Sequence, residues 1–162
     1  MENLAGSEMV VRCLQEEGVE VVFGLPGGTV IPLYDAFHDV KKPLHVLVRH
    51  EQAAAHAADG FARASGRPGV CLATSGPGAT NLVTGLATAW ADSVPVVALA
   101  GQAATGVIGT DAFQEADMIG MTLPILKHSF PVRDVERLPY AMKGAFTIAP
   151  SRRPGPVLVE IP

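Results

Sequence analysis

The chain has 162 residues, of which 48% are apolar and only 17% charged, and its formal net charge is −4. A chain of this length buries roughly 70% of its unfolded surface, which is enough for one core, while its charged fraction lies below the roughly 25% of an average soluble domain and predicts an obligate interface. No run of Lys or Arg exceeds a pair and no apolar run reaches about 18 residues, so the composition excludes nucleic-acid and membrane partners.

The apolar pattern alternates between helical and strand periodicity along the whole chain. In chain order it predicts helix 7–17, strand 19–23, helix 30–39, strand 44–49, helix 51–65, strand 69–74, helix 79–91, strand 94–99, a weak helix 114–120, strand 126–132, helix 135–149 and strand 156–161. This alternation predicts an α/β fold, a three-layer open, mostly parallel six-stranded sheet with helices on both faces. No linker or repeat interrupts it, so residues 1–162 are expected to form a single domain.

Two cysteines occur, Cys13 in a helical pattern and Cys71 in a strand pattern. This usage is typical of buried reduced thiols rather than of a disulfide framework or a metal site. The start of the chain leads directly into a helical pattern and does not resemble a signal peptide. We therefore expect a cytoplasmic location and no metal ligands within the chain.

Ligands of open parallel sheets bind outside the carboxyl ends of the strands. Four loops that follow predicted strands have unusual sequences, at 24–28, 49–52, 74–78 and 101–114. Because all four lie at the same edge of the predicted sheet, the sequence places the functional site there.

Three common motifs are disfavoured in these loops. The glycine-rich turns at 24–28 and 76–81 could cradle a phosphate, but they lack the dinucleotide and P-loop fingerprints, so tight turns that bring backbone close to a ligand are favoured. His50 and His56 are six residues apart rather than four, which disfavours zinc. Ser75 lacks both glycines of a hydrolase nucleophile elbow.

Glu51 opens a predicted helix whose next residues are mostly small and uncharged. A glutamate in the first turn is either a charge that the helix dipole stabilises, by about 0.3–1 kcal/mol, or a functional acid. Spacing alone leaves both interpretations open.

Four blocks resemble one family in order: FGLPGG at 23–28, RHEQAA at 49–54, TSGPGATNL at 74–82 and IGTDAFQE at 108–115. They are similar to the N-terminal, pyrimidine-binding domain of thiamine diphosphate enzymes, in particular of the acetolactate (acetohydroxyacid) synthase large-subunit family. The resemblance continues to RRPGPVLVEIP at 152–162. It implies that Glu51 hydrogen-bonds the N1′ nitrogen of the cofactor's aminopyrimidine ring and so promotes proton removal from C2 of the thiazolium.

The same resemblance implies roles for other residues. The cofactor pocket would be lined by Leu25, Pro26, Gly27, Gly28, Glu51, Pro77, Asn81 and Gln114. Glu51, Gln114 and Phe113 would be catalytic, with Phe113 beside the incoming substrate, and Arg153 would contact FAD. The alternatives are that Phe113 belongs to the core and that Arg153 caps the helix ending near 149. Lys127 and His128 also match the family, but a solvated strand start is the favoured interpretation of this pair.

Three places depart from the family pattern, Leu25, Thr29 and the pair Ala103-Ala104, and these bear on the shape of the substrate channel. The chain also lacks the Gly-Asp-Gly…Asn motif that holds the cofactor's diphosphate through Mg²⁺. We therefore expect a chain that is inactive alone, either a fragment of a three-domain subunit or, as in some relatives, a separate chain that pairs with a second subunit.

The resemblance implies decarboxylation of pyruvate and addition of the acetyl unit to a second 2-keto acid, a step of branched-chain amino acid biosynthesis. Expected partners are a diphosphate-binding domain, a second copy of the chain, a small regulatory subunit and 2-keto acid substrates. Another thiamine diphosphate decarboxylase or oxidase, and a non-catalytic dimerisation module, remain as alternatives.

Overall fold

A computed structural model describes residues 4–38 and 40–162, and within these ranges the chain forms six β-strands and seven α-helices. The strands are β1 (Val21–Gly24), β2 (Leu44–Leu47), β3 (Gly69–Ala73), β4 (Val96–Gly101), β5 (His128–Pro131) and β6 (Val157–Ile161). The helices are α1 (Gly6–Glu16), α2 (Ile31–His38), α3 (Glu51–Ser65), α4 (Pro77–Thr80), α5 (Val83–Ala91), α6 (Met118–Thr122) and α7 (Leu138–Ile148).

The strands form one open sheet in the order β2-β1-β3-β4-β6-β5, and all neighbouring strands run parallel. The predicted α/β class and six-stranded sheet are therefore confirmed, and the sheet is wholly rather than mostly parallel. Among the described residues, no helix has both the length and the apolar character needed to cross a bilayer.

Two cores lie on opposite faces of the sheet because successive strand residues point to opposite sides. On one face Leu72 and Leu99 pack with α1, α2 and α7 in a cluster of branched side chains. On the other face Ala73 and Ala98 pack with α3 and α5 in a cluster rich in alanine. Small side chains let helices approach closely, so the second face holds α3, and Glu51 with it, tightly against its neighbours.

The predicted helix at 79–91 is two helices. Pro77 opens α4 at the first helical turn, and beyond it the chain tightens, because the Leu82 amide donates to the Ala79 carbonyl at 3.0 Å instead of continuing the α-helical pattern. Asn81 lies at this break between α4 and α5.

The prediction of a weak helix at 114–120 is wrong for residues 114–117. Gln114 has a φ of +57°, in the left-handed region, which ends any helical continuation there. The helix begins instead at Met118, after Asp117, whose Oδ1 accepts a hydrogen bond from the Gly120 amide at 2.8 Å. The predicted helix 30–39 corresponds to α2, and its last predicted residue lies outside the described residues.

The strand order creates a switch point between β1 and β3. From β1 the chain moves to β2 on one side, and β3 then pairs with β1 on the other side. Loops that follow two such strands lead away in opposite directions and open a crevice at their carboxyl ends, which is where open α/β sheets bind ligands.

Candidate active site

Glu51 is the first residue of α3 and is only 7% exposed. The preceding His50 caps the helix, because its Nδ1 accepts a hydrogen bond from the Gln52 amide at 3.1 Å. Asn81 Nδ2 donates to Glu51 Oε2 at 2.9 Å. No described residue donates a hydrogen bond to Oε1, so one carboxylate oxygen is fixed and the other is available to a ligand.

Gly78 lies beside this carboxylate, and Gly76 lies against the backbone of Gln114. A Cβ atom on Gly78 would lie 3.2 Å from Glu51 Oε1 and 2.7 Å from Thr74 Cγ2. Gly76 has a φ of +59°, and a Cβ atom there would lie 2.6 Å from the Gln114 carbonyl oxygen. Only glycine allows this approach of backbone segments. The loop that carries Gln114 therefore lies directly against the loop that leads to α4.

The loops after β1 and β3 are joined by side-chain hydrogen bonds. Thr29 Oγ1 accepts from the Ser75 amide at 3.1 Å and lies 3.0 Å from Thr74 Oγ1, and the Thr29 amide donates to Thr74 Oγ1 at 3.3 Å. These two loops flank the switch point, so the bonds hold together the walls of the crevice.

Residues 102–117 form the loop that carries Phe113 and Gln114. The Glu115 side chain stabilises the central turn of this loop. One oxygen of Glu115 accepts from the Gly109 amide, and the other accepts from the Ala112 amide at 2.9 Å. These amide hydrogen bonds, first that from Gly109, hold the pKa of the Glu115 carboxyl below its usual value.

The same loop is fastened to the sheet by a buried polar pair. Gln102 Nε2 donates to Glu160 Oε1 at 2.9 Å and to the Ala116 carbonyl at 3.0 Å, while Gln102 Oε1 accepts from the Ala103 amide at 2.8 Å. Glu160 is 4% exposed, and burial raises the pKa of its carboxyl. Both ends of the loop are thus fixed to β4 and β6.

The Tyr34 hydroxyl lies beside Gly24, the last residue of β1, and the Tyr34 ring packs against His45 of β2. The rings of Tyr34 and His45 meet edge to face with centroids 4.6 Å apart, and the Tyr34 hydroxyl and His45 Nε2 are buried without a hydrogen-bond partner among the described residues. Burial, and then the charge of Glu51, raises the pKa of Tyr34, whereas burial lowers the pKa of His45. Both side chains are therefore neutral at pH 7.

The structure brings most of the expected site residues to one edge. Leu25, Pro26, Gly27 and Gly28 follow β1, Glu51 begins α3, Pro77 and Asn81 belong to the segment after β3, and Phe113 and Gln114 lie in the loop after β4. Phe113 is 89% exposed, so the alternative that it belongs to the core is wrong.

Arg153 lies at the opposite edge, because it precedes β6 rather than following a strand. Its Nε donates to Ser93 Oγ at 2.8 Å and its Nη2 to the Trp90 carbonyl at 3.1 Å, and its guanidinium lies 5.4 Å from the Trp90 ring centroid. It therefore caps the end of α5, not the helix ending near 149.

Lys127 also departs from its expected setting. Its ammonium group is partly buried and donates to the Ser151 carbonyl at 2.6 Å and to the carbonyl of Ile148, the last residue of α7. The favoured interpretation, a solvated residue at the start of a strand, is wrong for Lys127, because its ammonium group donates to carbonyls at and just beyond the end of α7.

Sequence reasoning missed the residues that hold the loops in place, Thr29, Gln102, Glu115 and Glu160. Glu160 had a visible signal, since it is the only charged residue in an apolar strand. Thr29 was noted only as a departure from the family pattern. Among the described residues, no group of three or more His, Cys, Asp or Glu side chains is placed to hold a metal ion.

Fold and site together define an open α/β domain of parallel strands with a buried carboxylate, Glu51, beside the switch point of its sheet. A family model described as "Thiamine pyrophosphate enzyme, N-terminal TPP binding domain" matches residues 4–121. The chain therefore belongs to this family of thiamine pyrophosphate (thiamine diphosphate) enzymes.

Curated relatives match the chain along its whole length. It is 60% identical over 162 residues to the acetolactate synthase isozyme 3 large subunit of Escherichia coli K12, covering 100% of this chain and 28% of that protein. It is 60% identical over 162 residues to the acetolactate synthase of Mycobacterium bovis, again covering 100% of this chain and 26% of the relative. It is 57% identical over 159 residues to the probable acetolactate synthase large subunit of Methanocaldococcus jannaschii, covering 98% of this chain and 27% of the relative. The chain thus spans about a quarter of the length of these relatives.

Proposed function

We propose that this chain is the pyrimidine-binding domain of a thiamine diphosphate-dependent carboligase of the acetolactate synthase type. The proposal rests mainly on the setting of Glu51. Its carboxylate is buried, Oε2 accepts a hydrogen bond from Asn81, and Oε1 lies beside Gly78 and accepts none from the described residues. The names of the relatives, all acetolactate synthases, support the particular reaction.

The residues present fit an aminopyrimidine ring. A ring nitrogen needs one carboxyl oxygen with which to share a proton, and Glu51 Oε1 is the oxygen to which no described residue donates. The glycines at 76 and 78 let the Gln114 backbone and the Thr74 side chain pack against the loop after β3, which keeps the loops that would flank the ring close to Glu51. Glu51 would therefore hold or exchange a proton with N1′ of the ring, while Asn81 keeps the carboxylate from turning away.

Bound thiamine diphosphate would supply an electron sink for the decarboxylation of a 2-keto acid and for transfer of its acetyl unit. The chain's own contribution on the substrate side is the loop of residues 102–117. Its exposed Phe113 would cover the incoming 2-keto acid, and Gln114, held against Gly76, would provide a polar contact to the cofactor or substrate.

Other parts of the site are proposed to come from partners. A diphosphate-binding domain would hold the diphosphate and Mg²⁺, and a second copy of the chain would complete the crevice, in keeping with the 17% charged residues and the exposed Phe113. The name "large subunit" among the relatives supports a smaller regulatory partner.

FAD is proposed from the family resemblance alone, because the Arg153 guanidinium is engaged with α5. Two buried free thiols support a cytoplasmic location.

The test uses the full-length protein that contains this chain, with thiamine diphosphate, Mg²⁺, FAD, pyruvate and 2-ketobutyrate. We expect 2-acetolactate and 2-aceto-2-hydroxybutyrate as products, and their loss in Glu51→Gln. Glu16→Gln, an exposed carboxylate on α1, is the matched control and should leave the products unchanged. Acetaldehyde or acetate as the main product would instead favour a decarboxylase or an oxidase. A protein that neither binds the cofactor nor turns over a 2-keto acid would favour the dimerisation module.

A further inference from the structure

Thr29 occupies the point where the loops after β1 and β3 meet. Its hydroxyl accepts the Ser75 amide and shares a hydrogen bond with the Thr74 hydroxyl, which also accepts from the Thr29 amide. Ser75 is completely buried. Without a hydroxyl at position 29, the buried Ser75 amide would lose this acceptor. Burying an amide without a hydrogen bond costs free energy.

Gly101, the last residue of β4, reaches the same hydroxyl. A Cβ atom on Gly101 would collide with Thr29 Oγ1 and would lie 3.3 Å from the Ser75 amide nitrogen. Three strand ends, those of β1, β3 and β4, therefore converge on one side-chain oxygen.

Thr74 transmits this arrangement to the carboxylate. A Cβ atom on Gly27 would lie 2.6 Å from Thr74 Cβ, and one on Gly78 would lie 2.7 Å from Thr74 Cγ2 and 3.2 Å from Glu51 Oε1. The Thr74 side chain is thus wedged between two glycines, one of which faces Glu51. If Thr74 lost its hydrogen bonds to Thr29 and its side chain rotated, the methyl group would move relative to Gly78, which lies beside Glu51.

We propose that Thr29 is a positioning residue for the cofactor crevice, which sets the separation of the loops after β1 and β3 and the orientation of Thr74 beside Gly78 and Glu51. This inference rests on the proposed function, because the crevice is assigned to the aminopyrimidine ring. It assigns a role to a residue that does not itself touch the reacting atoms.

The experiment compares Thr29→Val, which keeps the shape but removes the hydroxyl, with Thr29→Ser, which restores the hydroxyl, in the full-length protein. Calorimetric titration with thiamine diphosphate in excess Mg²⁺ measures the Kd, well below the unfolding temperature of each variant. We expect Thr29→Val to weaken binding by about tenfold or more, because the loops after β1 and β3 would no longer be held at the separation that the cofactor requires, and Thr29→Ser to bind within about twofold of the unsubstituted protein.

Thr147→Val is the matched control, because it removes a threonine hydrogen bond to the Lys143 carbonyl on α7, away from the crevice. It should leave the Kd unchanged. Thr29→Ala gives a second hydroxyl-free side chain, should Thr29→Val not fold, and the same loss of affinity is expected.

Unchanged Kd values in the hydroxyl-free variants, with or without lower thermal stability, would overturn the positioning role, since a merely stabilising hydrogen bond does not alter the affinity of folded protein. Absence of thiamine diphosphate binding by the unsubstituted protein would refute the proposed function itself, and this inference with it.

Discussion

Replacing Gly85 with alanine tests whether the close packing of α3 on α5 keeps Glu51 beside Asn81. A Cβ atom on Gly85 would collide with the Ala55 Cβ and lie 3.2 Å from the Ala55 carbonyl carbon. No rotamer change can relieve contacts with backbone and a Cβ, so the two helices would have to separate by roughly 1 Å to restore ordinary van der Waals contact.

The size of the effect follows from two opposing terms. Overpacking of a core costs about 1–3 kcal/mol, whereas the better helix propensity of alanine returns about 1 kcal/mol. Gly60 in α3 provides the control, because a Cβ there meets nothing within 4 Å and only the propensity term remains. Gly60→Ala should therefore be stabilising by about 0.5–1 kcal/mol, and Gly85→Ala should be less stable than Gly60→Ala by about 1–3 kcal/mol.

The same perturbation reaches the site. Glu51 begins α3 and Asn81 lies just before α5, so a separation of roughly 1 Å would stretch their 2.9 Å hydrogen bond beyond bonding distance. Urea unfolding of the chain, followed by circular dichroism, measures the stabilities. Equal stability of Gly85→Ala and Gly60→Ala would refute this close packing of α3 on α5.

Two further predictions concern carboxylates with shifted pKa values. Amide hydrogen bonds lower the pKa of Glu115 in the folded chain, so its contribution to loop stability is complete above the unfolded pKa of 4.5 and is lost as the pH falls through the folded pKa. The NMR protection factors of the Gly109 and Ala112 amides should therefore fall as the pH drops below 4.5, and in Glu115→Gln, which keeps one acceptor oxygen, the protection of at least one of the two amides should be low at every pH; unchanged protection of both amides in that variant would contradict the assignment. Burial raises the pKa of Glu160, so the folded chain favours the protonated acid and this stabilising preference is lost as the pH rises through the folded pKa. Glu160→Gln, which keeps an acceptor for Gln102, should gain stability over the unsubstituted chain in urea unfolding at pH 8 and lose that gain at pH 4, and a pH-independent difference would argue against this account.

The regular elements were predictable because their signals are local. The strands β3 and β4 are buried on both faces and appear as unbroken apolar runs. The predicted helix at 51–65 coincides with α3, whose end is marked by Gly66 with a φ of +71°. The break between α4 and α5 was not predictable from periodicity, because Asn81 there turns its side chain to Glu51, 30 residues earlier in the chain.

The edge that carries the site was predictable from topology. Carboxyl ends of parallel strands share one edge, which brings Glu51, the glycine turns and Gln114 together. The same rule would have placed Arg153 at the opposite edge, because it precedes its strand. What the sequence could not show is how the loops are held, since the bonds of Thr29 to Thr74 and of Gln102 to Glu160 join residues 45 and 58 positions apart.

The central claim, that the Glu51 carboxylate activates the cofactor, is tested most directly by exchange of the C2 proton of bound thiamine diphosphate with deuterium, measured by quenched-flow NMR in the full-length protein. At saturating cofactor, we expect Glu51→Gln to slow this exchange by about 100-fold or more, the lower end of what a positioned acid or base contributes. Exchange in Glu51→Gln within about twofold of the unsubstituted protein, with the cofactor still bound, would contradict the role of Glu51.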